Sequence, residues 1–258
     1  MARRVTAVKD RIYRQIVRAY KARTPFFRRF PTRANIDAVD FRTLIHRDMR
    51  CVYSRIPKAA NSTVVASLFV PAEQALERAV VERVKFGDIR PSDLSKGEVA
   101  DICEGYFKFT VVRNPYTRLL SAHRDKIARP SATNARFRAL LGVSDDREVP
   151  LDQFLEALAG RRFLMSDAHW MPQLDLMAFP VAAYDMIGSV ETLDRDLAAL
   201  QGRLGVSGAL RDYVPHKTGS TDARGALTPQ QAAAVRMIYA KDFEGLGYGE
   251  GLDVLGRA

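Results

Sequence analysis

Cys51-Val-Tyr-Ser-Arg-Ile-Pro57-Lys58-Ala59-Ala60-Asn61-Ser62-Thr63 is the stretch from which the fold is read. Residues 51–56 have the β-branched and aromatic content of a buried strand. Pro57 ends it, because proline has no N–H to give to a ladder. Residues 61–69 resume with helical spacing until Pro71 stops them. A strand that feeds a helix through a short loop turns free backbone N–H groups and the positive helix end toward one point. That is an anion cradle. Lys58 adds a mobile cation, and Ser62 and Thr63 add hydroxyl donors. The GxxxxGK[ST] loop of Mg²⁺-nucleotide proteins is absent: the stretch has no glycine and its lysine comes early. A plain strand-to-helix turn with an exposed lysine is the competing reading.

Further along, Phe107-Lys-Phe-Thr-Val-Val112 repeats the arrangement. Arg113-Asn114-Pro115 turns the chain, and residues 116–128 have helical spacing. Arg113 stands at the carboxyl end of a strand, where open α/β sheets bind their ligands. Its planar fork suits a phosphate. Ser121 lies eight residues on, in the following helix. A surface ion pair for Arg113 and a backbone-satisfied hydroxyl for Ser121 compete with that reading.

Residues 184–190 make a third strand candidate. The acids after them suit the start of a helix over 191–204. Residues 72–104 are mostly helical in pattern with a loop near 87–92. Residues 131–161 read as two short helices around a polar loop at 142–150. Residues 205–227 form a polar loop long enough to carry function. Thr228-Pro229 opens a last helix to about 243. Strands alternating with helices predict an α/β fold, a central parallel sheet flanked by helices on both faces.

The 258 residues carry 40 Lys and Arg against 30 Asp and Glu, a net charge of +10. Residues 1–33 hold eleven of the bases and one acid, Asp10, so this arm alone carries +10 and the remainder balances at 29 against 29. The organisation expected is a basic amphipathic arm over 1–33 and a single domain over 34–258. A nucleic-acid surface more often spreads its bases over the fold, so no nucleic-acid partner is expected. In the arm, Val5, Val8, Ile12, Ile16 and Tyr20 share a helical face. Three readings stand: a helix packed on the body, a helix lying on anionic membrane, or an Arg-rich targeting segment. No run reaches the ~18–20 apolar residues of a membrane span. Two cysteines, Cys51 and Cys103, supply neither a disulfide framework nor a four-ligand zinc site.

Together the motifs resemble something specific. Pro57-Lys58-Ala-Ala-Asn61-Ser62-Thr63 resembles the 5′-phosphosulfate loop of sulfotransferases, and Val112-Arg113-Asn-Pro-Tyr-Thr-Arg118-Leu-Leu-Ser121 their 3′-phosphate motif. His169-Trp170 is similar to a block of the carbohydrate sulfotransferase branch of sulfotransferase family 2, that of the HNK-1, chondroitin and dermatan enzymes. Tyr184 to Asp196 and Tyr239-Ala-Lys-Asp242-Phe243 resemble that branch's later blocks.

The resemblance implies a P-loop-like sulfotransferase fold. The donor is 3′-phosphoadenosine 5′-phosphosulfate (PAPS), and the acceptor is a hydroxyl of a carbohydrate or glycolipid, with no metal. Lys58, Ala59, Ala60, Asn61, Ser62 and Thr63 then hold the 5′-phosphosulfate, and Arg113 and Ser121 the 3′-phosphate. Lys217, in His216-Lys217-Thr-Gly-Ser, is expected to close over the nucleotide. His169 is the first candidate for the base; a carboxylate between the two motifs, such as Glu73, Glu77, Asp88 or Glu98, is the other. Leu176, Met177 and Phe179 stand where Golgi relatives carry cysteines. Together with an Ala- and Arg-rich composition, this leads to the expectation of a cytoplasmic bacterial member, peripheral to membrane. An ATP-dependent small-molecule kinase and a non-catalytic module using the basic arm are the rival functions.

Overall fold

The structure, a computed structural model, describes residues 15–71, 73–87, 89–131, 134–206 and 226–251. Its centre is a four-stranded sheet of β1 (Thr43–His46), β2 (Cys51–Ser54), β3 (Phe107–Val112) and β4 (Met186–Ser189), in the order β1-β2-β3-β4. The three anticipated strands are the parallel neighbours β2, β3 and β4. The sequence reading missed β1, which pairs antiparallel with β2 at the edge. Four residues between the charged Arg42 and Arg47 are too few to display a period-2 pattern.

Alternate strand residues face opposite sides. Leu44, Tyr53, Phe109 and Val111 pack against the helices Asn61–Leu68 and Leu193–Leu204 and against Val81. Ile45 and Val52 face the other way, toward Val99 and Ile102 of the helix Lys96–Gly105, Phe179, and the buried Phe26 and Phe27. Two residues of the helix Pro25–Arg29, Phe26 and Phe27, therefore belong to the core, while Arg28 and Arg29 are exposed. Just before it, Lys21 is ion-paired with Asp37 and Asp40. Ile16 and Tyr20 of the arm's apolar stripe are exposed.

A third cluster joins the helix Pro115–Lys126 to Phe137, Phe154, Trp170 and the C-terminal helices Pro229–Ile238 and Ala240–Leu246. The single last helix of the sequence reading is interrupted at Tyr239, whose hydroxyl donates to the Trp170 carbonyl at 2.6 Å. Among the described residues no helix is long and apolar enough to cross a membrane.

Candidate active site

The first site follows β2. Lys58 and Ala60 lie in the left-handed region, with φ of 68° and 52°. That conformation costs a residue with a Cβ about 1–2 kcal/mol, and such strain gathers at functional positions. Alternating handedness turns successive N–H groups toward a common concavity. The helix Asn61–Leu68 begins there with no side-chain cap at Ala60, so the positive end of its dipole lies at the loop. Lys58, Ala60, Asn61, Ser62 and Thr63 are partly exposed; Ala59 is buried beneath them. Ser62 Oγ also accepts from the buried Lys85 Nζ at 2.7 Å, and Lys85 pairs with Glu82 at the same distance.

The second site follows β3. Asn114 caps the helix Pro115–Lys126 by accepting from the Tyr116 N–H at 2.9 Å. Arg113 is buried; its Nε donates to Thr117 Oγ1 at 3.0 Å and its Nη1 to the Lys58 carbonyl at 3.3 Å. The two strand-end motifs are thus in direct contact. Burial pushes the Arg113 guanidinium down to about 10, with Glu191 opposing the shift, so it remains a cation at neutral pH. Gln173 locks the Arg113 backbone, accepting from its N–H at 2.9 Å and donating to its carbonyl at 2.8 Å. Ser121 is buried on the same helix.

Arg118 ties the motifs together. It donates to three carbonyls: Pro57 at 3.0 Å, Met171 at 2.9 Å and Ala168 at 3.0 Å. The loop of Lys58 and the block of His169 are therefore held by one buried guanidinium. Asp242 supports the block from behind, accepting from the Gln173 and Leu174 N–H groups.

His169 Nδ1 lies 2.5 Å from Asp167 Oδ1. An ionised carboxylate only accepts, so Nδ1 carries the proton and the neutral ring presents its lone pair at Nε2. Nε2 has no hydrogen-bond partner among the described residues. Burial lowers the His169 pKa from its ordinary value and Asp167 pulls against that, which leaves the ring neutral at pH 7.

Of the expected site residues, Lys58 to Thr63, Arg113, Ser121 and the His169 block are brought together. Lys217 and Asp88 lie outside the described residues. Glu73 and Glu77 are exposed. Glu98 caps its own helix and pairs with Arg47, beyond the end of β2 opposite the cradle. The sequence reading missed Arg118 as a clamp, Asp125, Asp167, Gln173 and the Glu82–Lys85 pair. Asp-x-His and the Ser121 to Asp125 spacing of four were visible signals; the clamp had none. Among the described residues no group of three or more His, Cys, Asp or Glu gathers in a way that could hold a metal.

A largely parallel sheet that brings two cationic side chains to adjoining strand ends defines an α/β protein of a kind able to receive an anion there. The sequence falls within a known group of such proteins. Residues 41–249 match the model of the sulfotransferase family, and the chain belongs to that family. It is 29% identical over 175 residues to carbohydrate sulfotransferase 14 of Danio rerio, covering 63% of this chain and 48% of that protein. It is 26% identical over 230 residues to carbohydrate sulfotransferase 10 of Mus musculus, covering 77% and 64%. The chain thus spans between about half and two thirds of these relatives. No solved structure matches it.

Proposed function

We propose that this protein transfers a sulfuryl group from PAPS to a hydroxyl of a carbohydrate. The observation that carries this reading is the bond from Arg113 Nη1 to the Lys58 carbonyl. It joins two cation sites into one bed, which suits a nucleotide charged at its 5′ and 3′ ends. Family membership and the two carbohydrate sulfotransferase relatives support the acceptor class.

In this reading the cradle of Lys58 to Thr63 takes the 5′-phosphosulfate, and Arg113 and Ser121 take the 3′-phosphate. The acceptor oxygen attacks sulfur as the bond from sulfur to the bridging oxygen breaks. Negative charge grows on that oxygen, and the Lys58 ammonium stands where it can neutralise it. His169 Nε2 takes the hydroxyl proton. The products are a sulfate ester and 3′,5′-ADP. Positioning and charge do most of the work, as in phosphoryl transfer. A finer reading places the protein in the cytoplasm at an anionic membrane, with a glycolipid as acceptor. The exposed Ile16 and Tyr20 on the basic arm support it.

Calorimetry against nucleotides, followed by mass spectrometry of glycans and lipid-linked glycans incubated with PAPS, tests the proposal. The chain should bind 3′,5′-ADP far better than 5′-ADP and add one SO₃ to an acceptor. On the acid side the rate should hold until the pH is below 6.5, because a lowered His169 pKa keeps the base neutral to lower pH. Equal binding of the two nucleotides sinks the reading and favours a kinase.

A further inference from the structure

Asp125 belongs to neither anion motif as read from the sequence. It lies one turn after Ser121 on the helix Pro115–Lys126, so the two share a face. Its Oδ2 accepts from Lys58 Nζ at 2.9 Å, across 67 residues of chain. Both side chains are largely sequestered, at 12% exposure for Lys58 and 18% for Asp125. The other charged groups that bear on Lys58 are cations: Lys126 of the same helix and Arg113 at the end of β3. Lys126 also reaches Asp125, at 3.1 Å.

An ammonium has three donors. Lys58 can therefore keep its bond to Asp125 while another N–H meets a phosphate oxygen. Its stem has four rotatable carbons, so without a fixed partner the charge is spread over many positions. A cation aimed before the reaction costs no reorganisation when charge develops.

We propose that Asp125 is a positioning residue for sulfuryl transfer: its carboxylate fixes the direction of the Lys58 ammonium, from the helix face that carries Ser121. One helix then sets both ends of the nucleotide bed. The inference rests on the reading of Lys58 as the cation at the bridging oxygen. Asp125 also opposes the effect of burial, which lowers the Lys58 pKa from its ordinary value. Burial pushes the Asp125 carboxyl up, but Lys58 and Lys126 outweigh it and hold it below the usual carboxylate range.

The test uses the full chain and PAPS with water as acceptor, so no glycan need be identified. A water oxygen attacks sulfur, the bond to the bridging oxygen breaks, and sulfate, 3′,5′-ADP and a proton are released. Asp125→Asn should lower the rate at saturating PAPS about tenfold or more, with KM and 3′,5′-ADP affinity within about threefold. Asp125→Glu should recover most of the rate. The alkaline limb of the rate should move to lower pH in Asp125→Asn, because burial, Arg113 and Lys126 then act on Lys58 unopposed.

Competitive acetylation read by peptide mass spectrometry supplies a measure that needs no turnover. Lys58 should react faster at pH 7.5 in Asp125→Asn than in the wild-type chain. Unchanged Lys58 reactivity and rate overturn the proposal, as does a loss of 3′,5′-ADP binding in Asp125→Asn that matches the loss of rate. Failure of the wild-type chain to bind 3′,5′-ADP overturns the sulfotransferase reading instead, and the acetylation result still decides whether Asp125 governs Lys58.

Discussion

The two candidate anion sites follow neighbouring parallel strands, yet they are built in opposite ways. After β2 the backbone is left-handed at Lys58 and Ala60, every loop residue from Lys58 to Thr63 except Ala59 is partly exposed, and the cation sits on a flexible stem that Asp125 holds. After β3, Arg113, Thr117, Arg118 and Ser121 are all buried, and Gln173 and Asn114 lock the turn. Under the proposed function the difference matches two tasks. An end of a substrate that only has to be recognised is best met by rigid donors, which lose little freedom on binding. An end where a bond breaks needs charge delivered to an atom that changes charge during the reaction.

That contrast can be broken by exchanging what each end supplies. Lys58→Ala should have the largest effect. The rate of PAPS cleavage should fall about 10²–10³-fold, while 3′,5′-ADP affinity by calorimetry changes only a few-fold. A greater loss in binding than in rate would make the first end a recognition site. Arg113→Lys keeps a charge but loses the fork. Affinity for 3′,5′-ADP should weaken about tenfold with 5′-ADP unchanged; parallel losses for both nucleotides would remove Arg113 from the 3′-phosphate. The smallest effect sharpens the comparison at the backbone. Ala60→Gly relieves a left-handed residue costing about 1–2 kcal/mol, and the freer unfolded chain takes back ~0.4–1 kcal/mol. A net gain of up to about 1.6 kcal/mol should appear in the denaturant midpoint. A lowered midpoint would mean that the cradle holds no strain.

Much of the site was legible because it is local. A proline, the lysine next to it and a helix start follow each other along the chain, and so do Arg113, Asn114 and Pro115. The helix spacing that places Ser121 one turn before Asp125 was equally legible, but not the partner waiting there. Lys58 comes from 67 residues away. Arg118 stood in a quoted motif without a role, because its three carbonyls come from segments 50 to 61 residues distant. The edge strand β1 was lost for a different reason. It is short, and its pairing with β2, not its own pattern, makes it a strand.

The sequence by itself determined the strand–loop–helix units, the residues at their junctions and the family they belong to. The units and junctions depend on backbone sterics and on side-chain periods that repeat within a dozen residues; the family rests on the motifs and the match over residues 41–249. Only the tertiary structure decided that the Lys58 ammonium rests on Asp125, that Arg118 binds the His169 block to the cradle, and that Asp167 engages Nδ1 of His169. For Lys58 and Arg118 the reason is packing: helices folded back on a sheet bring together groups that no local rule relates. The Asp167 and His169 side chains are neighbours in the chain, but the Phe137 ring that packs edge-on against the imidazole comes from a distant helix.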